Sequence, residues 1–93
     1  NGPMSQSDFD AAMAMLRHEN PVVVLTVREP RWWEGQVNAV MRAGVGRFKN
    51  ARIADWFTAS AGHPEYFAGD GIHLDTTGAL AYSHVVANAL LGP

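Results

Sequence analysis

Asp70 and His73 are the residues of this 93-residue chain best suited to chemistry. They sit three positions apart in Gly69-Asp70-Gly71-Ile72-His73-Leu74-Asp75-Thr76-Thr77-Gly78, a loop followed at once by an apolar, helix-periodic tail. A carboxylate that accepts a hydrogen bond from imidazole Nδ1–H fixes the tautomer. It aims Nε2 at a hydroxyl and stabilises the imidazolium once the proton is taken. Glycine on both sides of Asp70 allows a sharp turn without a Cβ penalty. In a loop, the three-residue offset can fold the carboxylate back onto the ring. By spacing alone an Asp-x-x-His is more often a solvated loop than a site; the flanking glycines and the helix cap that follows raise the odds of a site somewhat.

Other residues admit chemistry less sharply. His63 reads either as a second site histidine, or a metal ligand with His73 and Asp70 or Asp75, or as a plain loop histidine before Pro64. The plain reading is favoured, because zinc needs three or four ligands in tight geometry and no such spacing occurs. Arg28 and Arg31, at the end of an apolar run, suit an anionic part of a substrate or surface ion pairs with Glu29 and Glu34, which contribute little to stability. Trp32, Trp33 and Trp56 offer faces for a sugar. Packing is the expected use of Trp56 and of one of the Trp32–Trp33 pair. His18 and His84 are expected on the surface.

The elements that position these groups follow from local pattern. Pro3 to Asn20 is predicted helical: Ser5 and Asp8 have capping-box spacing, and Phe9, Met13 and Leu16, with Ala12 beside them, form its buried stripe. Asn20-Pro21 ends it, since the residue before proline avoids the helical region. The β-branched run Pro21 to Val27 predicts a strand buried on both faces of a parallel sheet. The polar segment Arg28 to Arg31 then lies at a strand's carboxyl end, where open α/β sheets bind ligands. A second helix is predicted from Trp32 to about Val45, weakened by Gly35 and ended by Gly44 and Gly46. A short strand spans Arg52 to Trp56, Thr58 to Pro64 is a loop, and Glu65-Tyr66-Phe67 makes one helical turn. The last helix runs from Thr76 to Leu91, capped by Asp75 and stopped by Gly92-Pro93, with Leu80, Val86 and Leu90 on its apolar side.

The alternation helix, strand, helix, strand, loop, helix specifies an α/β fold with parallel strands. Two such strands make a poor sheet by themselves, so the chain reads as the last portion of a larger α/β domain. The length allows one small domain, burying about 60–65% of its unfolded surface. Net charge is −2 and no basic stripe occurs, which argues against nucleic acid as a partner. No apolar run is long enough to cross a bilayer, and no signal peptide is seen. With no cysteine, disulfides and thiolate metal sites are excluded.

The block Gly69-Asp70-Gly71-Ile72-His73-Leu74, with a small-residue turn and terminal amphipathic helix, resembles the last block of the SGNH (GDSL-like) hydrolase superfamily. It is most similar to the SGNH domains attached to membrane acyltransferases of the peptidoglycan O-acetyltransferase type. Trp33-Glu34 with Val37-Asn38, then Asp55-Trp56, then His63-Pro64-Glu65-Tyr66-Phe67 carry the likeness in order over nearly the whole chain. The resemblance implies that residues 1–93 are one partial domain, the C-terminal portion of a three-layer α/β/α, flavodoxin-like fold. It implies a serine esterase or O-acyltransferase needing no cofactor and no metal, with Asp70 orienting His73 as general base. Acyl esters, including those of a carbohydrate or cell-wall glycan, are the implied substrates, and an extracytoplasmic or membrane-attached setting is implied by the resemblance alone.

The family's serine follows its first strand, and neither Ser5, Ser7, Ser60 nor Ser83 stands in that context. The nucleophile and first strands are therefore expected from a missing N-terminal part, and the chain alone is expected to be inactive. Asn1-Gly2 matches the end of the block whose asparagine helps hold the oxyanion; Asn1 is either that residue or the remnant of a cloning junction. Arg28, Trp32, Trp33 and His63 are the candidate substrate-binding residues. The alternative is a truncated or degenerate, non-catalytic binding or assembly module, self-associating through an exposed sheet edge.

Overall fold

The computed structural model describes residues 2–92. Its order is α1 (Gln6–Met15), β1 (Val22–Leu25), α2 (Glu34–Val45), β2 (Ala51–Ala54), α3 (Trp56–Ala59), a 3₁₀ turn (Pro64–Tyr66) and α4 (Thr76–Leu91). The strands pair in parallel, Val22 opposite Ala51 through Leu25 opposite Ala54. The chain is thus mixed α/β with a two-stranded parallel sheet. Helix α1 packs on α2, while α4 packs against both strands and the 3₁₀ turn.

Local signals set the helix starts. Ser5 and Asp8 form a reciprocal capping box, Ser5 Oγ accepting from Asp8 N–H and the Asp8 carboxylate accepting from Ser5 N–H, each at 3.0 Å. Asp75 caps α4, accepting from Gly78 N–H at 2.8 Å. Gly44 matters for a different reason: a Cβ there would lie 2.4 Å from the Phe9 ring, so only glycine lets α1 seat Phe9 on α2.

The core holds Phe9, Met13, Trp33, Val37, Ala54 and Trp56. All four β1 residues are only half-buried, against the expectation of a strand covered on both faces. Two strands and four helices leave part of the sheet without an overlying element. For the same reason Leu80 and Leu90 on α4 stay exposed. Leu16 is also exposed, as the C-cap residue just beyond the last residue of α1, Met15. The second strand ends at Ala54 rather than Trp56, since Asp55 caps a new helix whose first residue is Trp56.

Candidate active site

The ends of both strands are tied by side chains distant in sequence. Asn38, buried on α2, uses its amide as a strand partner for Val27: Oδ1 accepts from Val27 N–H and Nδ2 donates to Val27 C=O, both at 2.8 Å. This fixes the exit of β1, which carries Arg28 and Glu29. Thr26 Oγ1 donates to Asp55 at 2.8 Å and accepts from Phe57 N–H at 2.9 Å, joining the β1 exit to α3. Burial pushes the Asp55 carboxyl up, but hydrogen bonds from Thr26, Arg42 and Thr58 outweigh it and hold the pKa below the usual range.

The Asp70–His73 loop is closed at its base. Phe67 and Leu74 form an antiparallel bridge, Ala68 N–H donates to His73 C=O at 2.7 Å, and Asp75 N–H to Tyr66 C=O at 3.0 Å. Tyr66 C=O also lies against Gly78, where a Cβ would come within 1.9 Å of the carbonyl oxygen. Glycine is a poor helix former, costing about 1 kcal/mol relative to alanine in a helix interior. Here it lets the loop base dock directly on α4. Tyr66 stacks on Trp56, which meets Tyr82 edge-on, so aromatic packing continues from the loop base into the core.

Within the loop, Asp70 folds back on the residues that follow it. Oδ1 accepts from Ile72 N–H at 2.8 Å and His73 N–H at 3.0 Å, and Oδ2 meets His73 Nδ1 at 2.5 Å. Gly71 supplies the turn, with φ at 71°. The hydrogen bond from His73, then those from the two backbone amides, hold the Asp70 pKa far below the carboxylate range. Asp70 raises the His73 pKa above 6.5, first by hydrogen bonding and then by its charge, and Glu29 adds a smaller field of the same sign. The imidazole is 81% exposed, so its free edge faces outward from an anchored Nδ1.

The serines are occupied elsewhere. Ser5 caps α1 and meets Ser7 at 3.0 Å, and Ser83 donates to Leu80 C=O at 2.7 Å. Ser60, buried, donates to Trp56 C=O at 2.6 Å and accepts from Arg28 Nε at 2.7 Å. Among the described residues none bonds to His73, and no cluster of three or more His, Asp or Glu gathers as a metal site. Asn1 lies outside the described residues. Trp33 and Trp56 are buried, whereas Trp32 is 80% exposed. His63 Nδ1 meets Glu65 at 2.7 Å, and its ring stacks on Tyr66. His18 and His84 are exposed.

Sequence reading passed over Asn38 and Asp55 as site-building groups, and Gly78 as a contact. Their partners lie 11 and more residues away, apart from the Asp55 cap on Thr58. The one local signal was a glycine in a helix's first turn.

No family model matches the chain. A 69-residue region is 38% identical to O-acetyltransferase OatA of Staphylococcus aureus (strain NCTC 8325 / PS 47), covering 74% of this chain and 11% of that protein. A second protein of that species (strain COL), named provisionally as an O-acetyltransferase, matches at 38% over 69 residues, again 74% of this chain and 11% of the relative. The chain therefore contains an O-acetyltransferase-related region, and it spans about a tenth of the length of the curated relatives it matches.

Proposed function

We propose that the chain is the C-terminal part of an SGNH-type serine esterase or O-acyltransferase domain, with Asp70 and His73 as the acid–base half of its catalytic triad. The observation that carries this reading is the Asp70 carboxylate, held by two backbone amides and bonded to His73 Nδ1. The relation to O-acetyltransferases supports it. The serine comes from a preceding segment of the same domain, whose first strands cover the half-buried β1. His73 Nε2 takes the serine proton as the hydroxyl attacks the acyl carbonyl. It gives that proton to the departing alcohol, leaving an acyl-serine. A second hydroxyl, from water or from an acceptor such as a glycan, then attacks with His73 again as base. Asp70 stabilises the imidazolium in both halves. Asn1 donates to the oxyanion, a contribution of about 3 kcal/mol in such sites. Trp32, exposed beside the β1 exit, is the aromatic most open to a sugar, with Trp33 as its buried anchor. Neither cofactor nor nucleic acid takes part.

The test extends the chain with the residues encoded ahead of Asn1, or co-expresses them, and assays p-nitrophenyl acetate. Activity is expected in the extended protein and absent from the chain alone. Equal activity in its His73→Ala variant would overturn the proposal. A second reading, a non-catalytic assembly module, is favoured by the serines being engaged away from His73. It predicts self-association through the open strand edges, with no hydrolysis after extension. Size-exclusion chromatography with light scattering separates the two.

A further inference from the structure

Two side-chain amides on α2 hold main chain from other parts of the molecule, and only one of them is buried. Asn38 is the buried one, paired with Val27 at the β1 exit. Gln36 is exposed, yet it makes the same reciprocal pair with a residue 32 positions earlier: Oε1 accepts from Met4 N–H at 3.1 Å, and Nε2 donates to Met4 C=O. An exchange of two bonds is how facing strand residues pair, and it fixes direction as well as distance. An exposed glutamine loses rotamer freedom to make it, and water serves both groups as well, so the pair adds little to the stability of the fold. What it fixes is the course of the chain ahead of α1.

The neighbouring residues extend that constraint in both directions. Downstream, the Asp8 carboxylate holds Ser5 N–H, so two successive backbone amides are tied by side chains. Upstream, Pro3 has a ring-locked φ and no N–H of its own. Gly2, Pro3 and Met4 form one wall of a cleft of about 330 Å³ whose other walls include Val27, Glu29 and Trp33. Glu29 also lines a smaller cleft, of about 160 Å³, with Ile72 and Leu74, the neighbours of His73. The N-terminal segment therefore runs past the same end of β1 as the Asp70–His73 loop. We infer that Gln36 is a positioning residue, which seats Gly2–Met4 at the carboxyl end of β1. The consequence for chemistry, presentation of the Asn1 amide to the oxyanion from directly ahead of Gly2, rests on the proposed function; the seating itself does not.

Alanine is the better helix former, so Gln36→Ala removes the pair without threatening α2. The first measurement follows amide hydrogen exchange by NMR in the isotopically labelled chain. Met4 N–H is expected to exchange roughly three-fold or more faster in Gln36→Ala, while Ser5 N–H, held by Asp8, changes little. Equal Met4 exchange in the two chains overturns the seating. The second measurement uses the extended, serine-bearing protein with p-nitrophenyl acetate. Gln36→Ala is expected to lower kcat roughly ten-fold with KM and Tm little changed, and to lower it far less where Asn1 is already alanine. An unchanged kcat, or the same fractional loss with and without Asn1→Ala, overturns the catalytic role. An extended protein that lacks activity overturns the proposed function and that role with it. The exchange measurement still decides the seating, so the two fail separately.

Discussion

Among the described residues, two pairs bring a carboxylate oxygen to a histidine Nδ1, Asp70–His73 at 2.5 Å and Glu65–His63 at 2.7 Å. They are anchored from opposite ends. Asp70 is fixed by backbone amides, and the imidazole it holds stands 81% exposed. In the other pair the imidazole is fixed, stacked on Tyr66 with ring centres 4.5 Å apart, and Glu65 is the exposed partner. A proton shuttle needs a preset carboxylate and a ring whose far edge reaches a reactant. A ring packed flat on an aromatic suits recognition, where a donor must stay still. The difference lies in what surrounds each pair.

The largest expected effect tests this division directly. In the extended, serine-bearing protein, His73→Ala should lower kcat by roughly 10⁶. His63→Gln should leave kcat close to that of the unsubstituted protein, since its ring is engaged by Glu65 and Tyr66 and not by the Asp70–His73 pair, and steady-state kinetics on both variants decides. Comparable kcat losses would erase the contrast. Next is the platform under the first pair. Gly78→Ala drives a methyl into the Tyr66 carbonyl and should destabilise the chain by about 3 kcal/mol in urea denaturation, the upper range for overpacking. Gly69→Ala, with open space at its Cβ, should stay within about 0.5 kcal/mol.

Protonation provides a finer test. The His73 pKa is raised on folding, so its share of the pair's stabilisation is complete below 6.5 and is lost as pH rises through the folded value. The Asp70 pKa is depressed, so its share is present above 3.8 and lost as pH falls through the folded value. Between 3.8 and 6.5 both charges are in place. NMR titration of the His73 ring should give a pKa above 6.5 that falls toward 6.5 in Asp70→Asn and moves little in Glu65→Gln. Since a general base must be neutral, hydrolysis in the extended protein should rise with pH through that same value. An inflection that ignored Asp70→Asn would detach the pair from the chemistry. The smallest effect is expected from Glu29→Gln, which should lower the His73 pKa less than Asp70→Asn does, because Glu29 acts through its field alone.

Much of this was legible in the chain. Ser5 with Asp8 and Asp75 with Gly78 are caps made within three residues, and Asp70 with His73 is a contact of the same range. Residue type and spacing encode such contacts, because their partners are neighbours whatever the rest of the molecule does. The alternation of elements likewise implied parallel strands, as observed. Leu16, Leu80 and the β1 valines were misjudged because helical or β-branched pattern reports what a residue is suited to bury, and burial also needs an element on the other side. Trp56 was placed on a strand because its apolar character outweighed the cap signal of Asp55.

What the sequence by itself determined is the Asp70–His73 pair, its glycine-flanked turn and the helix cap behind it, since all lie within one short stretch. Only the tertiary structure decided that Asn38 completes the β1 exit, that Tyr66 rests on Gly78, and that Arg28 and His63 share a cleft. Those contacts join residues 11 to 35 positions apart, and over such separations sequence offset no longer specifies distance or direction. The packing of the chain as a whole fixes them.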